Sequence, residues 1–260
     1  KSFIYSMIKK IINKINSKLF KFDPFFQKNK SLIKIGTTYG GYDIVNKNLN
    51  EPIVLSCGLG EDASFDIDMI NKFDAKVFIL DPTPRSKIYF NKLKDNFGNT
   101  KREDYNESGY LHPNCYDLQK ANPDNLIFID KAIWSESNIE LKLYYPAEIS
   151  HVSLSINQKP NYLQNNPFKA KTINYEKIID QYALKKIDIL KLDVEGAEIE
   201  TLKSVLKNKI LPGQILVEFD LRRKPSFKTN LLLKRIHKNI CKKYKLVNIN
   251  NKGDFTYLLK

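Results

Sequence analysis

The stretch Gly58-Leu59-Gly60-Glu61-Asp62-Ala63 has the G-x-G-x-x-G/A spacing at which glycines let a chain turn tightly and a helix N-terminus receive a pyrophosphate. Yet Glu61 and Asp62 stand where that anion would sit, and carboxylates repel phosphates at short range. The pattern therefore selects a nucleoside that carries positive charge, and it speaks against a nicotinamide dinucleotide. The competing reading of the two acids is a first helical turn whose carboxylates favour the dipole.

Other residues could complete such a site. Asp81 closes an apolar run 21 residues after Gly60, the spacing at which an acid grips ribose hydroxyls or simply makes an Asp-Pro turn. Asp193 and Glu218 follow two further apolar runs, and ligands of open α/β sheets gather beyond the C-terminal ends of strands. His151, in Ser150-His151-Val152-Ser153, titrates near neutrality and is either a base or a solvated loop residue. Glu195 and Glu198 flank Gly196 as caps or ion-pair partners of the helix it opens, and Asp220 lies further out. Lys191 interrupts an apolar run, which directs its ammonium to the sheet edge or to an anionic acceptor. Trp134 stacks on a ligand or fills the core, while His112 and His237 read as surface residues. No carboxylate spacing is diagnostic of a metal, so no metal is expected.

The elements that must position these residues alternate as β and α. Strands are predicted at Ile53–Leu55, Val77–Leu80, Leu126–Ile129, Ile187–Leu192 and Ile215–Val217, with a helix from the glycine turn to about Phe73. A doubly wound, mostly parallel sheet follows. The runs 245–250 and 255–259, joined by Asn251-Lys252-Gly253-Asp254, predict a closing antiparallel hairpin. Between the third and fourth strands, Ile139–Tyr145 alternates like a strand. Pro146–Lys171 reads as a polar loop, and a helix is expected near Tyr175–Leu184.

The 260 residues suit one α/β domain, and their net charge of +14 points to an anionic partner or surface. From Arg222 to Lys252 the chain carries no acid. Three widely spaced cysteines suggest a reducing compartment, hence a cytoplasmic location, and no membrane-spanning run or leader is read. Residues 1–20 place Ile4, Ile8, Ile11, Ile12, Ile15 and Leu19 at helical spacing with Lys9, Lys10, Lys14 and Lys18 beside them. This amphipathic basic helix docks on the body, on a second protomer in a homo-oligomer, or on a membrane surface or other partner.

The glycine turn SCGLGEDASFD, the strand end VFILDPTPRS and above all ILKLDVEGAEIETL resemble the FkbM-type family of S-adenosylmethionine-dependent methyltransferases. Ile35–Gly41 also resembles the segment that precedes the first strand in a branch of that family. The likeness covers residues 34–260 and leaves 1–33 as a separate N-terminal segment. It departs at Ser56-Cys57, where an acid is usual, and at Glu218-Phe219-Asp220, where many members have Glu-x-His. The resemblance implies a Rossmann-like class I methyltransferase fold and methyl transfer to a hydroxyl. S-adenosyl-L-methionine would be held by Tyr39, Gly40, Gly58, Gly60, Glu61, Asp62, Asp81, Pro82, Thr83, Lys131, Ala132 and Asp193. An aliphatic hydroxyl needs a base, and His151, Asp193, Glu195 and Glu218 are the candidates.

The leading expectation is an O-methyltransferase acting on a sugar hydroxyl of a glycan or nucleotide-linked sugar. Two others stand beside it: an RNA methyltransferase using the basic C-terminal segment, and an inactive membrane-surface subunit of a polysaccharide pathway. Nucleic acid is disfavoured, because the Asn/Asp-Pro-Pro-aromatic turn of base-amine methylation and any RNA-binding module are absent.

Overall fold

Runs of β-branched and aliphatic residues set the framework, and what surrounds them decides which become central. The computed structural model describes residues 7, 11–12, 14–16, 18–47, 49–106, 109–119, 121–146, 154–156, 163 and 166–260. In chain order the strands are β1 (Leu32–Ile35), β2 (Tyr42–Val45), β3 (Ile53–Cys57), β4 (Lys76–Leu80), β5 (Leu126–Ile129) and β6 (Ala132–Trp134). They continue as β7 (Glu140–Leu143), β8 (Phe168–Asn174), β9 (Ile189–Leu192), β10 (Gln214–Val217), β11 (Tyr244–Ile249) and β12 (Phe255–Leu259). Beyond the helical N-terminal segment, the helices are α1 (Ser64–Phe73), α2 (Pro84–Lys94), α3 (Tyr175–Gln181), α4 (Glu198–Val205) and α5 (Phe227–Ile240).

Seven strands form one sheet in the order β11-β12-β10-β9-β3-β4-β5. The block from β10 to β5 is parallel, whereas β12 runs antiparallel to both β10 and β11. Alternate residues of each central strand supply opposite faces. Leu55, Phe78, Leu190 and Ile215 pack with Ile178, Leu202 and Ile236 of α3, α4 and α5. Val54, Val77, Ile189 and Leu216 pack with Phe65, Ile70 and Tyr89 of α1 and α2. Both faces are thus covered by helices, which is why these strands read as continuous apolar runs.

The β1–β2 hairpin and the strands β6 and β8 were not read from the sequence. The β1–β2 hairpin caps the second face, fixed where Gln214 of β10 bonds both the N–H and the C=O of Val45, at 2.8 and 2.9 Å. A three-stranded sheet, β6-β8-β7, stands beyond the main one. It corrects the expected Pro146–Lys171 loop, because Phe168–Lys171 already belong to β8, in register with Leu143–Glu140. The alternation of Phe168-Lys169-Ala170-Lys171-Thr172 carries that strand, and the flanking Asn and Pro residues masked it.

Two polar residues make tertiary contacts that their sequence context does not announce. His237 is half-buried rather than free at the surface: its Nδ1 lies 2.9 Å from the Tyr257 hydroxyl, its ring packs edge-on to Phe22, and burial lowers its pKa. Lys191 is buried along its strand, but its Nζ reaches past the end of β3 to donate to the Gly58 carbonyl at 2.8 Å, 5.7 Å from the ring centres of Tyr42 and Phe65.

Glu198 opens α4 with its carboxylate accepting from the Gly196 N–H at 2.8 Å. Burial, opposed by that bond, pushes its pKa up to about 8 from 4.5. Across that window the folded state holds a proton that the unfolded chain releases, so stability falls as pH rises and levels off above about 8. The total is on the order of 5 kcal/mol. Glu198→Gln should remove this slope, and thermal unfolding of variant and parent from pH 5 to 8 measures it; parallel curves would refute the assignment.

Candidate active site

The turn after β3 is shaped by the absence of side chains and by one carboxylate. Gly58 has φ of 90°, and a Cβ there would lie 1.9 Å from the Asp193 carbonyl oxygen, so only glycine lets the ends of β3 and β9 meet. Asp81, at the end of β4, collects the turn: one oxygen accepts from the N–H of Leu59 and Gly60 at 3.0 and 3.2 Å and faces the Ser86 hydroxyl at 2.8 Å. The other accepts from the N–H and hydroxyl of Thr83 at 2.8 and 2.6 Å. Asp62 is buried and ties the turn to the β1–β2 loop by accepting from the Thr37 hydroxyl at 2.9 Å and the Ser64 N–H at 2.8 Å. That loop lays Tyr39 and Gly40 over the turn; a Cβ on Gly40 would stand 2.6 Å from an Asp62 carboxylate oxygen. Glu61 is paired with Arg85 at 2.6 Å.

A second group of charges faces the turn from β9, β10 and the terminal hairpin. Asp193 is held by its N–H on the Cys57 carbonyl at 3.0 Å. Glu218, one residue past β10, accepts from Arg223 Nε at 3.0 Å and also from its Nη2. Arg223 reaches Glu195 too, at 3.6 Å. The Glu195 backbone is left-handed (φ 45°), an uncommon state for a side chain of this kind, and its carbonyl accepts from the Ser155 hydroxyl at 3.0 Å. Burial and the neighbouring Asp193 push Glu218 up to about 7, with Arg223 opposing them. Burial works against the Arg223 charge, yet Glu218 and Glu195 hold its pKa above the usual range. Burial, followed by Asp193, also raises Tyr39. Lys252, from the β11–β12 turn, donates to the Tyr39 carbonyl and lies 5.9 Å over its ring.

These groups line one cavity of about 880 Å³, within the range of small-molecule sites. Among the described residues, its charged lining comprises six acids, Glu61, Asp62, Asp81, Asp193, Glu195 and Glu218, against four bases, Arg85, Lys191, Arg223 and Lys252. The cavity is thus acidic inside a chain of net charge +14. Ile133, Leu141, Leu143, Leu154 and Ile156 make its far wall aliphatic. Among the described residues, no cluster of His, Cys, Asp and Glu has the geometry of a metal site.

Of the residues singled out from sequence, Tyr39, Gly40, Gly58, Gly60, Glu61, Asp62, Asp81, Pro82, Thr83, Ala132, Asp193 and Glu218 all line this cavity. Lys131 is not part of the lining; its N–H turns back onto the Ile129 carbonyl at 2.8 Å. Trp134 is likewise outside it, paired across β6 and β8 with Asn174. His151 lies outside the described residues. Sequence reasoning missed Arg223, Lys252, Tyr110 and the aliphatic wall. Arg223 had a signal, five residues beyond Glu218 in the loop that leaves a strand end. Lys252 had none, because the hairpin turn reaches the site only through the sheet order. Cys57 is an inert neighbour, with burial pushing its thiol up to about 12.

The family model described as Methyltransferase FkbM domain matches residues 48–231. That span includes the glycine turn, Asp81, Asp193, Glu218 and Arg223, and leaves Tyr39, Gly40 and Lys252 outside it. No curated protein and no solved structure matches the chain.

Gly58→Ala tests the turn. The added methyl must displace the Asp193 carbonyl and hold a left-handed φ, so a loss of about 2 kcal/mol or more in denaturant unfolding is expected. Gly98→Ala has comparable strain in φ but open space around it, and should cost clearly less. Equal losses would show that the contact with Asp193 is not the constraint.

Proposed function

This chain belongs to the FkbM methyltransferase family, and from that premise we propose that it methylates a sugar hydroxyl, of a glycan or nucleotide-linked sugar, using S-adenosyl-L-methionine. The strand order β5-β4-β3-β9-β10, with β12 and β11 closing it in antiparallel pairing, supports reading the fold as a Rossmann-like class I methyltransferase, a doubly wound sheet.

The donor set fits the cofactor. Its α-amino group and sulfonium are cationic, and the cavity holds two more acids than bases. Gly58 and Gly60 permit close backbone approach, while Asp193, with Tyr39 and Gly40 opposite, faces the same space. Asp81 would take the ribose diol once the Thr83 and Ser86 hydroxyls, which are free to rotate, turn away. Pro82, Thr83 and Ala132 would border the base. When bound, S-adenosylmethionine supplies a methyl group on a sulfonium, and its transfer to an alcohol leaves an ether and S-adenosylhomocysteine.

The observation that carries the reaction type is Glu218. A carboxyl group poised at about pH 7 on the wall of the cavity is matched to taking a proton from a hydroxyl near neutrality. Arg223 positions it by gripping the carboxylate, and Asp193 raises its basicity by charge repulsion. The aliphatic wall supports an acceptor with an apolar face, such as the C–H side of a pyranose ring, and Lys252 offers a cation to the diphosphate of a nucleotide sugar. An RNA substrate is less well supported. Within the acid-free segment, Arg222 donates to the Gly253 carbonyl at 2.7 Å and lies 4.9 Å over the Phe255 ring, and Arg223 is engaged by acids. Free cysteines agree with a cytoplasmic setting.

The test is incubation with S-adenosylmethionine and candidate sugars, read by mass spectrometry for one added methylene. Failure to bind S-adenosylmethionine in calorimetry would end the proposal. The rate should rise with pH through about 7 as Glu218 ionises. Glu218→Gln should lose about a hundredfold or more in kcat while still binding the cofactor. Arg223→Ala should move the rise to higher pH. A full rate in Glu218→Gln together with loss in His151→Gln would transfer the role of base to His151.

A further inference from the structure

The described part of the N-terminal segment is helical at residues 7, 11–12, 14–16 and 18–20. Its polarity is inverted relative to a helix that packs on a core. The partly buried positions are Asn16 and Phe20, whereas Met7, Ile11, Ile12, Ile15 and Leu19 are exposed. Four of these recur every fourth residue, so they share one face. Ile11 is 50% exposed, Ile15 51% and Leu19 66%.

The root of this helix is anchored. Phe20 meets the ring of Phe227 edge-on at 6.1 Å, its carbonyl accepts from the Asn230 side chain at 2.9 Å, and Phe22 is buried against Phe255. Beside the Phe20 anchor, Phe227 and Leu231 are exposed on consecutive turns of α5, with Phe227 68% exposed. Isolated exposed apolar residues are ordinary, but a contiguous row of this kind marks an interaction surface.

The charge around the row selects what covers it. The first thirty residues contain eight lysines and a single acid, Asp23, and the exposed side of α5 adds Lys228, Lys234, Arg235 and Lys238. Two copies of this chain meeting face to face would bring those cations together. A nucleic acid would satisfy the lysines and leave the isoleucines in water. A bilayer with anionic headgroups satisfies both, with the apolar row at the acyl boundary and the ammonium groups among the phosphates. No helix among the described residues is long and apolar enough to cross a membrane.

We propose that the N-terminal helix and the adjoining exposed end of α5 form one docking surface for an anionic lipid membrane. The inference does not rest on the methyl-transfer reading. It places the protein where a membrane-attached acceptor would be found.

Sedimentation of the 260-residue chain with vesicles tests it, using phosphatidylcholine alone and phosphatidylcholine with about one-third phosphatidylglycerol. Binding to the anionic vesicles should be at least about tenfold tighter and should weaken as salt is raised. Ile11→Glu with Ile15→Glu should lose about tenfold or more on those vesicles, with unchanged thermal unfolding. Lys18→Glu with Lys21→Glu should remove the preference for anionic lipid. Equal partition of parent and variants, or no binding by the parent, overturns the proposal. A dimer in light scattering that Ile11→Glu splits, without vesicle binding, would assign the face to a second copy.

Discussion

The rest of the structure depends on how closely two strand ends approach. β3 and β9 are neighbours in the middle of the sheet, and just past their ends the Gly58 backbone touches the Asp193 carbonyl at a distance no side chain tolerates. That contact fixes where the glycine turn begins and where Asp193 points. Asp81, one strand over, then gathers the amides of the turn, and its remaining bonds to Thr83 and Ser86 start α2. Three loops from three strands are thereby set as one unit before any ligand is considered. Pre-organisation of this kind lets a site on loops keep the precision of a sheet.

The electrostatics follow from the same geometry. Parallel strands deliver their C-terminal ends to one edge, and here those ends and the loops after them carry Asp81, Asp193, Glu195 and Glu218. Gathering acids in a partly buried cleft is costly, and the structure offsets it with cations placed behind and beside them. Lys191 lies beneath the turn, buried between aromatic rings, while burial pushes the Asp66 carboxyl up and Lys191 draws it back. Arg223 bridges Glu218 and Glu195 from the side. The offset is incomplete, and that residue of negative charge distinguishes the cavity from the strongly basic exterior.

Much of this was legible in the sequence because it is local. The five central strands, the glycine turn and the acids at strand ends are encoded in runs of four to eight residues that can be read without knowing what lies across the sheet. Lys131 illustrates the limit: it sits after a strand end like the others, but a one-residue turn sends its backbone back to Ile129. β1, β2 and β8 escaped for a related reason. Each is short or interrupted by polar residues, and each depends on partners outside its own run: β1 and β2 on each other and, through Val45, on Gln214, and β8 on β6 and β7. His237 shows the same effect at the rim of the core, where a half-buried residue on a basic helix finds the buried Tyr257 hydroxyl, which no local pattern announces.

Lys252 extends that argument to function. It belongs to the turn between the last two strands, and it reaches the cavity because β12 is inserted antiparallel beside β10, which brings the β11–β12 turn to the same edge as Glu218. There it bonds the Tyr39 carbonyl, so the terminal hairpin and the β1–β2 loop, more than two hundred residues apart, clasp each other over the glycine turn. Both partners lie outside the span matched by the family model. The parts that every strand-end acid requires are therefore drawn from the matched core, and the cover that gives the cavity its remaining wall is drawn from the two ends of the chain. With the aliphatic sheet opposite them, those ends wall the cavity around the strand-end acids, so the enclosure depends on chain segments that no single strand-end motif encodes.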